Sequence, residues 1–313
     1  MEFQTKQHRF YNLDQYLKTK YKSKVFKVAL NGNFNCPNRD GTISHLGCFF
    51  CSEKGSGDFA GRKEDALAVQ FEKVSTKIHE KWPNAKYIAY FQANTNTYGP
   101  IAKLEQLFNE AIALHPDIVC LSIATRPDCI NSEVLLLLKK LREKIEIWVE
   151  LGLQTIHDNT ALSFNRGYPT ALFQNIVMQL HQIQVDVIVH IINGLPNESK
   201  NDMLETVFYL RNLPIQGIKI HSLFVQKNTI FGNQYQKNPF PLLTLQQYVD
   251  IVCEQIALLP SHIVIHRLSG DAPQRDLIAP EWTTKKLVVM NEIDKRMRLL
   301  QYFQGCKIKN DQI

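Results

Sequence analysis

Residues 25–51, VFKVALNGNFNCPNRDGTISHLGCFFC, join a strand-like run to three cysteines in the spacing C-x11-C-x2-C. Val25 to Leu30 is apolar apart from Lys27 and rich in β-branched and aromatic side chains, the composition of a strand. Cys36, Cys48 and Cys51 therefore fall on the loop that leaves this strand, and the glycines within that loop let it turn.

Working outward, the same kind of run returns at Lys86 to Gln92, Ile118 to Ala124, Ile145 to Leu151, Val185 to Ile192 and Ile218 to Val225. Between these runs, apolar residues recur at three- and four-residue spacing, the pattern of helices with one buried face. Leu67, Phe71, Val74 and Ile78 mark one helix within Glu64 to Lys81. Leu104, Leu107, Phe108 and Ala111 mark another, as do Val134, Leu137, Leu138 and Leu141, and Phe173, Ile176, Val177 and Leu180. Strands alternating with helices predict an α/β fold with a parallel sheet. Six such units make an incomplete, TIM-like (β/α)6 barrel, and a barrel carries its chemistry on the loops at the strand C-termini.

Asn228 to Pro241, with Asn, Gln, Gly and Pro prominent, reads as a long loop. A helix over about Thr244 to Leu259, a strand at Ile263 to Arg267 and a charged helix from about Thr283 to Tyr302 follow it. The chain divides into an N-terminal basic helical segment (1–20), a core barrel (21–260) and a C-terminal α/β extension (261–313) that closes the open barrel or contacts substrate.

With 313 residues, 44% hydrophobic and 21% charged, the chain can bury a substantial core, which excludes disorder as the default. The first twenty residues hold no continuous apolar stretch and no later run is long enough to span a bilayer, so a soluble, cytoplasmic protein without membrane contact is expected. The net charge of +6 draws on Lys18, Lys20, Lys22, Lys24 and Lys27, and on Lys285, Lys286, Lys295, Arg296 and Arg298. Such clusters suit nucleic-acid phosphates and solvated helix faces equally well.

Seven cysteines, an odd number, point to reduced thiols or metal ligands rather than a disulfide framework. Cys120 and Cys253 sit in apolar segments, as small buried thiols do, and Cys129 and Cys306 are solitary. The three loop cysteines are different. Each can take one iron of a [4Fe-4S] cubane, whereas an electron-transfer cluster normally takes four cysteines, so one iron is left open for a ligand such as S-adenosylmethionine (SAM). A zinc site is the other reading of the same residues, since His45 completes C-x8-H-x2-C-x2-C, a Cys3His set.

Other segments fall on the same catalytic end: YFQANTNTYGP after the second strand, SIATRPDCI after the third, VELGLQT at the fourth, HIINGLPNES at the fifth and KIHSLFVQKNT at the sixth. HRLSGDAP and LIAPEW follow in the extension. With FNCPNRDG and GCFFC, these segments give nearly the whole chain a resemblance to the radical SAM superfamily. The resemblance is narrower to the YtqA/YhcC type, which is MnmL-like and distantly related to the Elongator catalytic subunit. It implies a radical SAM barrel whose cofactors are a [4Fe-4S] cluster on Cys36, Cys48 and Cys51 and SAM.

By the same resemblance, Phe50 touches adenine, while Gln92, Asn94 and Thr95 stand where the SAM amino group is held. Glu150, with Gln154, stands at the SAM ribose, and Gly194 in Asn193-Gly194-Leu195-Pro196 lets the backbone approach adenine. Asn197 replaces a glycine usual in that turn. The implied reaction is tRNA wobble-uridine modification, from 5-carboxymethylaminomethyluridine to 5-aminomethyluridine, with tRNA as partner and a flavodoxin or ferredoxin as reductant. Lys219 and His221 alternate with apolar residues on the sixth strand, which turns both inward as catalytic candidates: a cation for a substrate carboxylate and an imidazole for a proton. Lys227, Arg267, Asp271 and Arg275 suit either substrate contacts or salt bridges that fasten the extension. Two rival classes stand beside this enzyme: a cluster- or haem-binding chaperone without turnover, and the Cys3His zinc protein binding nucleic acid.

Overall fold

The computed structural model describes residues 8–270 and 273–308. Helix α1 (Leu13–Tyr21) leads into strand β1 (Val25–Leu30), and four βα units follow it. These are α2 (Leu67–Lys81) with β2 (Lys86–Phe91), α3 (Ile101–Ala113) with β3 (Ile118–Thr125), α4 (Ser132–Arg142) with β4 (Glu146–Gln154), and the pair α5 (Asp158–Ser163) and α6 (Thr170–Gln182) with β5 (Asp186–Asn193). Then come α7 (Lys200–Leu210), β6 (Gly217–Ser222), β7 (Val225–Gln226), α8 (Ile230–Lys237), α9 (Leu245–Leu258), β8 (Val264–Arg267), β9 (Leu277–Ala279) and α10 (Lys286–Leu299). Side chains that accept from the first turn start several helices: Asn12 caps α1, Asn131 caps α4, Ser199 caps α7 and Thr244 caps α9.

Seven strands form one parallel sheet in the order β1-β2-β3-β4-β5-β6-β8, the curled partial barrel expected from the alternating pattern. Strand periodicity sorts the side chains. On β4, Ile147, Val149, Leu151 and Leu153 face outward into the main core, joined by Val187, Val189 and Ile191 of β5 and Ile218 and Ile220 of β6. The alternate residues face the lumen. Its floor is apolar, built from Ile88, Cys120, Trp148 and Ile188 under Leu17 of α1. Above this floor the lumen turns polar, with Lys27, Tyr90, Glu150, His190 and Lys219 along the wall.

The strand of the extension, β8, adds to β6 as a seventh parallel strand without closing the barrel, because β1 and β8 both remain sheet edges. The N-terminal segment occupies that seam: the Ile265 amide donates to the Tyr11 carbonyl (2.8 Å), and α1 packs against both β1 and β8. One expectation fails, since the stretch read as the loop Asn228 to Pro241 contains α8. Thr229 starts that helix by accepting from the Gly232 amide (2.9 Å), a cap that outweighs the Asn, Gln and Gly composition. A second short sheet, β7 with antiparallel β9, ties the chain after β6 to the extension.

The basic clusters are largely compensated. Lys18 and Lys24 face Asp14, Lys20 faces Glu146, Arg296 faces Asp250 and Arg298 faces Asp294. The exposed pairs at Asp14 and Asp294 contribute little stability, whereas Glu146 is largely buried and also accepts from Tyr16, Tyr21 and Trp148. Among the described residues, no helix is long and apolar enough to cross a membrane. Asp271, one of the candidate residues, lies outside the described residues.

Candidate active site

The loop from β1 to α2 has no regular secondary structure, and local hydrogen bonds give it shape. The Arg39 amide donates to the Cys36 carbonyl (2.8 Å) and the Cys51 amide to the Cys48 carbonyl (2.9 Å), so Cys36 and Cys48 each open a tight turn and Cys51 closes the second. Arg39 also reaches forward, donating to the carbonyls of Cys51 and Glu53, each at 3.1 Å. Asn38 is fully buried; its amide donates to the Asn165 carbonyl (2.6 Å) and points at the Cys48 sulfur (3.6 Å). The Ser56 hydroxyl lies 3.4 Å from the Cys51 sulfur. Burial pushes the Cys48 thiol up to about 12 and Cys51 upward as well, so these thiols give up protons only as a metal takes the thiolates.

Gln92 and Asn94 fasten this loop to the end of β2. The Gln92 side chain donates to the Ser56 carbonyl (3.0 Å), and the Asn94 side chain donates to that of Phe34 (3.0 Å). Asn94 adopts a positive φ of 60°, and its side chain lies where a Cβ on Gly55 would stand, 1.9 Å from its oxygen, so only glycine fits at position 55. Thr95 is buried at the cavity wall, its amide held by the Asn35 carbonyl (3.2 Å).

Cys36, Cys48, Phe50, Cys51, Gln92, Asn94, Thr95, Glu150, Gln154, Lys219 and His221 all line one cavity of about 610 Å³. That volume lies in the usual range of small-molecule sites. Phe50 packs beside Phe164, with ring centroids 5.5 Å apart. Gln154, at a positive φ of 63°, holds a buried side-chain oxygen with no partner among the described residues. Gly194 stands outside the lining: its positive φ of 88° makes the turn, its amide meets the Met203 sulfur (3.2 Å), and a Cβ there would press on Leu243. Asn197 also adopts a positive φ, 68°, a conformation asparagine tolerates.

Glu150 is the hub of the lumen. Its fully buried carboxylate accepts from Lys27 (2.5 Å), Ser122 (2.8 Å), His190 (2.8 Å) and Lys219. Burial by itself raises a carboxyl pKa, but Lys219, Lys27 and His190 outweigh it and hold Glu150 well below the usual range. Burial likewise presses Lys219 down to about 7, against the upward pull of Glu150 and with repulsion from Lys27 and Arg267. His190 is pushed to about 4, and burial keeps His221 and His266 neutral as well. Both lysines also lie over the Tyr90 ring, each 4.8 Å from its centroid.

Sequence reasoning passed over Lys27, Tyr90, His190 and His266, which complete this lumen. The signal was period two: Lys27 in VFKVAL and His190 in VIVHII are polar positions inside apolar strands, turned to the same side as Glu150. Arg126 was also missed. It is nearly buried beside the cysteines, paired with Asp128 (2.7 Å) and stacked over the Tyr168 ring (4.9 Å). Lys227 and Arg275 serve the extension, the Lys227 ammonium donating to the Arg275 carbonyl (3.1 Å).

The donor set tests zinc against a cluster. Ligand atoms on one tetrahedral zinc stand roughly 3.8 Å apart, given bonds of ~2.3 Å. Among the described residues, only His157, Asp202 and Glu205 bring three such atoms within 4.8 Å of one another; the loop cysteines and His45 do not. His45 is exposed, and its ring lies against Gly41, away from the cavity lining. The three sulfurs share one cavity, and three thiolates without a fourth cysteine are the donor set of a [4Fe-4S] cluster with one iron open.

The sequence pattern of the Radical SAM superfamily matches residues 40–210, and that of the Radical_SAM C-terminal domain matches 215–298. The chain belongs to the radical SAM superfamily. This radical SAM protein is 44% identical to YtqA of Bacillus subtilis over 297 residues, 95% of this chain and 92% of that one. It is 34% identical to YhcC of Escherichia coli over 280 residues, 89% of each chain. Among solved structures, Elp3 of the archaeon Methanocaldococcus infernus superposes with a TM-score of 0.64 at 16% identity, over 88% of this chain and 63% of that one, a likeness of fold. As a radical SAM protein it takes a [4Fe-4S] cluster and SAM as cofactors.

Proposed function

We propose that this protein modifies the tRNA wobble uridine, converting a 5-carboxymethylaminomethyl group to 5-aminomethyl by a radical step. Cys36, Cys48 and Cys51 would hold the cluster, which together with SAM would supply a 5′-deoxyadenosyl radical. The observation that carries the reading is the lumen itself: a polar chamber beneath the cysteines, with an excess of cationic side chains over its buried carboxylate. An anion-bearing substrate suits that chamber. The YtqA/YhcC-type resemblance adds the tRNA, and a splayed anticodon base is a form in which RNA bases enter protein pockets.

The target carbon lies between nitrogen and carboxylate and offers no acidic proton for ordinary base catalysis, which makes hydrogen abstraction the reasonable opening of C–N cleavage. Phe50 supplies an aromatic wall for adenine. Gln92 keeps its side-chain oxygen to accept from the SAM ammonium, with Thr95 beside it, while Asn94 is spent largely on the loop. Glu150 is saturated by four donors, so the ribose hydroxyls fall to Gln154, whose buried oxygen has no partner. Lys219 and His221 are the proton-handling candidates, Lys219 because an amine near 7 both gives and takes a proton at neutral pH.

Nucleoside mass spectrometry of tRNA from a strain lacking the protein tests the substrate. The expected result is accumulation of 5-carboxymethylaminomethyluridine with loss of its aminomethyl and methylaminomethyl descendants. An unchanged nucleoside profile rejects the reading.

A further inference from the structure

Resting on the reading of the lumen as the substrate chamber, we propose that Arg267 seats a carboxylate carried on a short arm of the substrate, with His221 as a second donor, in a subsite on the β6–β8 wall.

Successive residues of a strand normally face opposite sides of the sheet. On β8, however, His266 and Arg267 both line the cavity. A register shift between Ile218 and Lys219 lies at this point of the β6–β8 pairing and sets Arg267 opposite Lys219. Irregularities of this kind re-aim side chains next to active sites. Here the shift sets Arg267, an exposed residue, at the border of the cavity beside Lys219 and His221.

Among the described residues, the charge inventory then leaves Arg267 without an anion. The only carboxylates that these residues bring to the cavity lining are Asp58 and Glu150. Asp58 accepts from the Ser52 hydroxyl (3.1 and 3.2 Å), and Glu150 is taken by Lys27, Ser122, His190 and Lys219. Among the described residues, nothing accepts a hydrogen bond from Arg267 or pairs with it. Its charge instead bears on Tyr90, Lys219 and His221. The Nε2 of His221 and the Nδ1 of His266 are buried and equally without partners.

Lys219 was the natural choice for a carboxylate on sequence grounds, but the chain already gives it one, that of Glu150. Arg267 has none among the described residues, and a guanidinium fork matches the two oxygens of a carboxylate in a way that a point-like ammonium does not. A backbone phosphate of RNA is the competing anion. Arg267 is exposed but shares the cavity lining with Lys219 and His221, and a group on a slender arm that enters the cavity meets all three, which a phosphodiester flanked by riboses does not.

The test measures binding to anaerobically reconstituted protein, wild type and Arg267→Gln, with cluster content confirming that both are assembled. Two probe pairs are used: 5-carboxymethylaminomethyluridine against its uncharged carboxamide, and N-benzylglycine against N-benzylglycinamide, each with inorganic phosphate as a competitor. The wild type is expected to bind each carboxylate about 10- to 100-fold more tightly than its amide, the range of a charge-assisted bond, and Arg267→Gln is expected to lose that preference. Preference for N-benzylglycine without binding of either nucleoside keeps the subsite and rejects the wobble-uridine reading. Nucleosides bound equally as acid and amide keep that reading and overturn the subsite. A carboxylate preference that survives in Arg267→Gln, absence of any carboxylate preference, or displacement by phosphate at concentrations equal to the carboxylate's own also overturns it.

Discussion

Replacing any one of Cys36, Cys48 or Cys51 by alanine abolishes cluster binding and SAM cleavage, while His45→Ala leaves both largely intact. The three sulfurs line one cavity, and on the proposed assignment each would be the sole protein donor for its iron. Loss of one thiolate would leave two anchors for the cluster. SAM cleavage would then fall to background, because the cluster that binds SAM would no longer be held in place. His45 is exposed beside Gly41 and takes no part in the cavity. Iron and sulfide content, the dithionite-bleachable absorbance and 5′-deoxyadenosine formation measure these outcomes under anaerobic conditions. A cysteine variant that keeps its cluster overturns the assignment, and wild-type protein that holds zinc and loses it in His45→Ala returns the loop to the Cys3His reading.

The fold was legible because its two periodicities are clean. Val25 to Leu30 forms the strand expected of it, and of the stripe on α2 Leu67 and Phe71 are buried and Ile78 packs against the core, while Val74 is exposed. What escaped the sequence depended on tertiary contacts or on a single capping hydroxyl. The helix at Ile230–Lys237 turns on Thr229, one residue in a stretch whose composition argues for a loop. The site divided in the same way. The cysteines announced themselves by spacing within one loop, whereas the Glu150 hub assembles Lys27, Ser122, His190 and Lys219 from four other strands. Inward orientation of each polar residue can be read from period two, but which donor meets which acceptor depends on the stagger of neighbouring strands. The freedom of Arg267 depends further on a register shift that leaves no mark in VIHR.

Glu150→Gln destabilises the protein by about 3–5 kcal/mol at neutral pH, because it keeps the shape of the side chain and removes the charge that Lys27 and Lys219 share. The loss has a pH signature. The folded-state pKa of Lys219 is depressed to about 7 from an ordinary value of 10.5, so the unfolded chain holds the extra proton between those values and stability rises with pH there. In the wild type this slope ends below about 7, where Lys219 is protonated in both states. Without Glu150, its largest upward influence, Lys219 in the variant sits lower still and the slope continues into acid, at up to about 1.4 kcal/mol per pH unit. The gap between the two proteins therefore widens as pH falls from 7 to 5. His190, at about 4 in the folded wild type, adds the same slope to both proteins across that window. The Glu150 carboxyl, held well below its ordinary value, contributes stability lost only at lower pH. Thermal unfolding at pH 5, 6, 7 and 8 measures the effect, with Ser122→Ala as the control that touches the same carboxylate (2.8 Å) without carrying charge. That control is expected to cost about 1 kcal/mol at every pH. A Glu150→Gln protein with the same flat, small loss shows instead that solvent entering the lumen neutralises the two lysines as well as the carboxylate does.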